Sequence, residues 1–247
     1  MQQYTFSQIG TFHTNHNEDF LISHPLGKNQ SLIAVMDGCT MGTDSHFAAT
    51  LIGKLLRKFA KEYYYQSFTE RIEKSLGQLL RMLLEQLFTS LKALKNQLSL
   101  EQEELLSTLI IGIIDQEIQQ AQLLTIGDGV VYCNGQLTEY DQANNPDYLG
   151  YHLARNFDTW YAQQTQGLSL DNIQDLSIST DGIFTFRAYD TKRYEQVTEK
   201  EIINFLFADE TYHKQKNMLY KKMRIIEEKW GLKPTDDLSV IRLINFE

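Results

Sequence analysis

The chain has 247 residues, 42% of them hydrophobic, and a formal net charge of −9. An acidic chain with no long run of Lys and Arg lacks the basic footprint that nucleic-acid binding needs. Its two cysteines, Cys39 and Cys133, make neither a disulfide framework nor a metal-ligand spacing, which fits a reducing, cytoplasmic compartment.

A chain of this length buries a substantial core without staples. No repeat, low-complexity tract or Pro/Gly/Ser linker divides it, so one α+β domain over 1–247 is expected. The start, Met1 to Phe6, lacks the basic-then-apolar layout of a signal peptide. The longest apolar runs, such as Leu109 to Ile114, are too short to span a bilayer. A soluble chain without a membrane anchor is expected.

In chain order, a strand-like stretch ends in Asn17-Glu18-Asp19, and a second strand, Leu32 to Met36, stops at Asp37-Gly38. Phe47, Leu51, Leu55, Phe59 and Tyr63 then recur every four residues, which predicts a helix with Asp44 or Ser45 at its start. A second helical spacing runs for about thirty residues from Phe68 through Ile72, Leu76, Leu83 and Leu91 to Leu98. It mixes threes and fours without a strict heptad, which favours packing across a sheet over a coiled-coil seam. Ser99 is expected to cap a short turn through Leu105.

Strands follow at Thr108 to Ile114, Leu123 to Ile126 and Val130 to Cys133. The last enters Asn134-Gly135, a strong hairpin signal. The stretch from Asp141 to Asn172 has no clear period. Leu176 to Ser179 runs into Thr180-Asp181-Gly182. Helices are predicted at Glu199 to Phe207 and Thr211 to Trp230, with Gly231 ending the second. Asp236-Asp237 precedes a last strand, Leu238 to Ile244.

Apolar strands thus end at aspartates three times, at Asp37, Asp128 and Asp181, and Asp236 stands just before a strand. Taken singly, each Asp-Gly is more often a tight turn than a ligand. Converging strands would hold these carboxylates together, and clustered carboxylates repel unless cations neutralise them. All-oxygen donors suit hard ions such as Mg²⁺ or Mn²⁺.

The ordered set resembles the metal-dependent protein phosphatases of the 2C type, over nearly the whole chain. Asn17-Glu18-Asp19, Val35-Met36-Asp37-Gly38, Ser107-Thr108, Ile126-Gly127-Asp128, Ser179-Thr180-Asp181-Gly182 and Asp236-Asp237-Leu238-Ser239 are similar to that family's motifs, in its order. The resemblance is to a divergent, bacterial-like member. It implies two antiparallel sheets packed face to face and flanked by helices, a four-layer α-β-β-α sandwich. It also implies a serine/threonine phosphoprotein substrate and two ions, Mn²⁺ or Mg²⁺. Asp37 would bridge them, Glu18 and the Gly38 carbonyl would complete one, and Asp181 and Asp236 would hold the other. Asp128 with Asp181 matches a weaker third-ion position. Asp19 and Asp237 would stand behind the ligands, a turn-capping role being about as common for such acids. Catalysis would use a water held over Asp37, with no protein nucleophile.

Three departures stand out. The family's phosphate-binding arginine, four residues before the glutamate, is here Thr14. The residue after the metal-site glycine, often a histidine in the family, is Cys39. The stretch 129–180 is short for the family's substrate-shaping flap. If residues 13–18 are extended, His16 shares a face with Thr14 and Glu18 and would help hold the phosphate, while His13 points to the surface. The alternative to an active phosphatase is a catalytically weak binding or regulatory module that keeps the fold.

Overall fold

The computed structural model describes residues 1–42, 44–69, 74–143, 146–189 and 196–245. Two five-stranded antiparallel sheets dominate it. The first is ordered β2-β3-β4-β5-β8, from β2 (Asp19–Pro25), β3 (Gln30–Asp37), β4 (Leu109–Asp115), β5 (Gln120–Ile126) and β8 (Gly167–Leu170). The second is ordered β1-β12-β9-β6-β7, from β1 (Gln2–Gln8), β12 (Leu238–Ile244), β9 (Asp175–Ser179), β6 (Gly129–Cys133) and β7 (Gln136–Tyr140). A small ribbon pairs β10 (Phe186–Ala188) with β11 (Leu232–Pro234).

The sheets face each other across an apolar layer. Ile33, Val35, Ile110 and Leu123 of the first meet Val131, Ile178, Ile241 and Leu243 of the second. Because strand side chains alternate, the other face of each sheet also needs cover. Helices α1 (Ser45–Thr69) and α2 (Leu76–Leu98) bury Ile52, Leu56, Leu83 and Leu87 on the outside of the first sheet, against Leu32, Ala34 and Ile111. The short α3 (Phe157–Ala162) adds Phe157 and Trp160 there. Helices α4 (Glu199–Phe207) and α5 (Met218–Ile225) bury Leu206, Phe207, Leu219 and Met223 on the second sheet, against Tyr4, Phe6 and Val240. The result is the expected α-β-β-α sandwich. Among the described residues no helix is long and apolar enough to cross a membrane.

The departures from sequence have local causes. The thirty-residue helical spacing is two elements. Phe68 belongs to α1, and α2 begins after Ser75, whose side chain accepts from Gln78 N while Gln78 returns a bond to Ser75 N. That reciprocal capping box stops the helix from running back through it. Ile72 lies outside the described residues. Ser99 is left-handed (φ 53°) and closes α2 by donating its N–H to the Lys95 carbonyl, so it ends a helix rather than starting a turn. The second late helix starts at Met218, not Thr211, and finishes in a wide turn at Ile226–Trp230. The early strand ends at Gln8, so Asn17-Glu18 lies in an irregular connection and Asp19 opens β2. Asn134 and Gly135 both have positive φ, as a two-residue hairpin loop requires.

Candidate metal centre

The acids gather where strand ends of both sheets meet. In the antiparallel β2–β3 pair, Asp19 stands opposite Asp37. Gly38 leaves β3 and bridges Ser107, and its N–H donates to the Glu18 carbonyl at 3.1 Å. A Cβ at Gly38 would lie 2.0 Å from the Ser45 carbonyl, so only glycine lets the chain pass there. From the second sheet, Asp181 opens a short helical turn directly after β9, and Asp236-Asp237 lead into β12. Gly182 makes a matching close approach, its Cβ position being 1.9 Å from the Asp237 carbonyl.

Side-chain contacts hold several acids in place. Glu18 is buried; its Oε2 accepts from Thr40 Oγ1 at 2.8 Å and its Oε1 accepts from Ser45 Oγ. Thr180 Oγ1 donates to Asp19 Oδ2 at 2.7 Å and itself accepts from Ser239 N at 2.9 Å. Asp237 is 2% exposed. Its Oδ1 accepts from Gly10 N at 2.6 Å and its Oδ2 from Glu18 N, which pins the 10–18 connection to the start of β12. Asp236 Oδ1 accepts from Asp237 N at 2.8 Å.

Electrostatics follow from this crowding. Burial, then Asp19, Asp181 and Asp236, push the Asp37 carboxyl well above the usual range. Burial does the same to Asp19, reinforced by Asp237 and Asp181 against the Thr180 hydrogen bond. Burial, then Asp236 and Asp128, raise Asp181 to about 6. Asp236 is also raised, chiefly by burial. Among the described residues no Lys or Arg forms an ion pair with any of these four.

Asp128 lies to one side. Its Oδ1 accepts from Gln142 N at 2.8 Å, and it shares with Asp181 a cleft of about 260 Å³ also lined by Glu139, Asp141 and Glu199. Thr14 and His16 are exposed and line a shallow opening of about 240 Å³ with His13, Glu18 and Ser45. Residues 10–18 are not a strand, so the parity argument does not apply: His16 stacks on His46, with ring centroids 4.3 Å apart. His13, expected at the surface, instead lies in the acid cluster. Its Nδ1 is 3.0 Å from Asp237 Oδ2, and its Nε2 is 3.6 Å from Asp236 Oδ1 and 3.9 Å from Glu18 Oε2. Burial acts to lower its pKa, but Asp237, Glu18 and Asp236 together outweigh burial and raise it.

Strand parity sent His13 to the surface, because its partner Asp237 is remote in sequence. Tyr148, buried beside Cys39, was missed for the same reason; burial, then Cys39, push its hydroxyl far up. Thr180 was within reach, since it sits in a motif already singled out.

Among the described residues no three His, Cys, Asp or Glu side chains are already arranged to enclose an ion. The donor set still fits hard divalent cations. Asp19 is 6% exposed and its Oδ1 has no hydrogen-bond partner. Like-charged, partly buried carboxylates with no Lys or Arg paired to them among the described residues are what a cation would relieve.

Two facing antiparallel sheets flanked by helices, with carboxylates collected at one edge, make an α+β fold that matches solved bacterial serine phosphatases. The protein phosphatase 2C family model matches residues 11–219, and the chain belongs to that family. Among similar solved structures is the serine/threonine phosphatase Stp1 from Staphylococcus aureus, 13% identical, with TM-score 0.64 over 100% of this chain and 96% of that one. RsbX in complex with magnesium is 14% identical, with TM-score 0.56 over 98% and 93%. The phosphatase domain of SpoIIE from Bacillus subtilis is 16% identical, with TM-score 0.56 over 98% and 62%. No curated protein sequence matches the chain.

Proposed function

We propose that the chain is a single catalytic domain, 1–247, that removes phosphate from phosphoserine or phosphothreonine proteins in a metal-dependent reaction. The observation that carries this reading is Asp37, a half-buried carboxylate crowded by Asp19, Asp181 and Asp236 from both sheets, with no Lys or Arg ion-paired to it among the described residues. Two divalent ions, Mn²⁺ or Mg²⁺, would supply activation of water and neutralisation of the phosphoryl oxygens there.

This chain's own residues hold that chemistry in place. Asp37 would bridge, with Glu18 and the Gly38 carbonyl on one side and Asp181 and Asp236 on the other. Asp128 with Asp181 would offer a weaker third position. Thr40 and Ser45 fix the Glu18 carboxylate, Thr180 fixes Asp19, and Asp237 fixes the backbone from Gly10 to Glu18. The phosphoprotein substrate is argued by analogy: Stp1 is a serine/threonine phosphatase, and SpoIIE is described as a cell fate determinant with a regulatory domain. The cysteine usage supports a cytoplasmic setting.

A weakly active regulatory module is the second reading, and Thr14 favours it. The opening beside Thr14 is lined by Phe12, His13, Asn15, His16, Glu18 and Ser45, with no Lys or Arg among them. Hydrolysis of an aryl phosphate with Mn²⁺, with Mg²⁺ and with chelator separates the two. An active phosphatase turns over only with metal; tight metal binding without turnover favours the module.

A further inference from the structure

We propose that His13 is a nitrogen ligand of the metal centre, on the Glu18–Asp236 side, and that it biases this centre toward ions that accept imidazole over Mg²⁺. The inference rests on the metal-centre reading above and goes beyond its all-oxygen ligand set.

The placement of His13 is built into the backbone. Thr11 N donates to the Pro234 carbonyl at 3.1 Å and Phe12 N to the Thr235 carbonyl at 2.9 Å, so the connection after β1 is laced to the strand end that precedes Asp236. Gly10 permits this contact, since a Cβ there would lie 2.2 Å from the Asp236 carbonyl carbon. His13 N closes the turn onto the Gly10 carbonyl at 3.2 Å. The ring is thereby delivered over Asp236 and Asp237, with its side chain 14% exposed.

The ring faces three carboxylates and has no aligned hydrogen bond. Nδ1 is buried and 3.0 Å from Asp237 Oδ2, but off the hydrogen-bond axis. Nε2 stands 3.6 Å from Asp236 Oδ1 and 3.9 Å from Glu18 Oε2, too far for hydrogen bonds. Two donors each about 2.1 Å from one ion are roughly 3.0 Å apart at a right angle and roughly 4.2 Å apart when opposed. Each Nε2 separation falls inside that range, so the imidazole can share an ion with Glu18 or one with Asp236. On the other ring nitrogen, a carboxylate beside Nδ1 is the usual partner of a metal-bound histidine, where it fixes the tautomer that leaves Nε2 unprotonated. Glu18 already accepts from Thr40 and Ser45, but a carboxylate has about four lone-pair sites and retains capacity for an ion. An independent sign of a ligand at this centre is Asp19, nine-tenths buried with Oδ1 unpartnered.

An imidazole in the set changes which ions are favoured. Mg²⁺ demands oxygen donors and keeps its waters. Imidazole suits later first-row ions, whose affinities rise from Mn²⁺ through Fe²⁺ to Co²⁺. The rival role for His13 is that of a plain counter-cation, which an incoming ion would displace.

The test uses the full chain with metals alone. Pulsed EPR on the Mn²⁺-loaded wild type should show coupling to an imidazole ¹⁴N. That coupling should disappear in His13→Ala and in His13→Gln and persist in His16→Ala. Equilibrium titration should show Co²⁺ binding weakened about tenfold or more in the His13 variants, with Mg²⁺ binding changed less than about threefold. Tight Mn²⁺ binding without nitrogen coupling, or coupling that survives loss of His13, overturns the ligand assignment and leaves the metal-centre reading standing. No metal binding by the wild type overturns both.

Discussion

Asp19 and Asp37 stand directly opposite each other across the β2–β3 pairing, a buried and a half-buried carboxyl group where a sheet normally places complementary neighbours. Thr180 satisfies one Asp19 oxygen and leaves the other without a partner. The arrangement costs stability in the metal-free chain, and that cost is measurable.

Asp181 gives the pH window. Its carboxyl is raised from 3.8 to about 6 in the folded chain, chiefly by burial and by Asp236 and Asp128. Below about pH 4 the folded and unfolded chains both hold this proton. Between about pH 4 and 6 the unfolded chain releases it first, so folding loses stability as pH rises, on the order of 3 kcal/mol for this shift. Metal-free Asp181→Asn should therefore gain Tm relative to metal-free wild type as pH is raised from 4 to 7. At pH 7, Mn²⁺ at about 100 times its Kd should stabilise wild type by about 2.7 kcal/mol, or roughly 5–11 °C. Parallel Tm–pH profiles for the two chains would contradict the clustered-acid account.

Thr14 sets the phosphate grip. A threonine hydroxyl offers one neutral donor where the resembling family places a guanidinium. Thr14 is exposed and lines the opening beside Glu18, so an arginine there has room. Thr14→Arg should lower KM for an aryl phosphate about tenfold or more, at about 1.4 kcal/mol per decade, with little change in kcat. Steady-state kinetics check this. An unchanged KM would mean that the opening does not hold the phosphoryl group.

Away from the centre, Lys222 is fully buried and donates to the Phe205 carbonyl at 2.6 Å, the Asp209 carbonyl, and Asp209 Oδ1 at 2.8 Å. Arg242 reinforces the same helix end by donating to the Leu206 and Asp209 carbonyls and bidentately to Asp175. Lys222→Met leaves the Phe205 carbonyl without its side-chain donor and takes the cation from part-exposed Asp209, which keeps Arg242 and Thr211 as donors, and should cost about 1–3 kcal/mol, or roughly 2–12 °C in Tm. Mn²⁺ affinity should be unchanged. A Tm within 2 °C of wild type, about 1 kcal/mol or less, would show that water replaces the ammonium.

Sequence exposed the features that repeat locally. Short apolar runs ending in Asp37, Asp128 and Asp181 named the strand ends, because a buried strand cannot continue through a charged residue without a partner. The final strand from Leu238 to Ile244 was bounded correctly for the same reason. Features made by distant residues stayed hidden: His13 meets Asp237, and Tyr148 meets Cys39. Short elements hid too. With six residues, α3 is less than two full turns, too few to display a helical period. The edge strand β8 alternates, but over only four residues and with no fully buried position. The break between α1 and α2 was written in Ser75 and Gln78, but an unbroken leucine spacing masked it.

Asp37 is the residue on which the functional account depends, and the most direct measurement pairs Mn²⁺ binding with phosphate release from a phosphothreonine peptide, for wild type and Asp37→Asn. The account predicts that wild type binds Mn²⁺ and releases phosphate only while metal is present. It predicts that Asp37→Asn keeps the wild-type circular dichroism spectrum and loses tight Mn²⁺ binding. Its turnover should fall about a thousandfold, the equivalent of about 4 kcal/mol of transition-state stabilisation. Chelator-resistant phosphate release, or an Asp37→Asn chain that turns over at the wild-type rate, would contradict it.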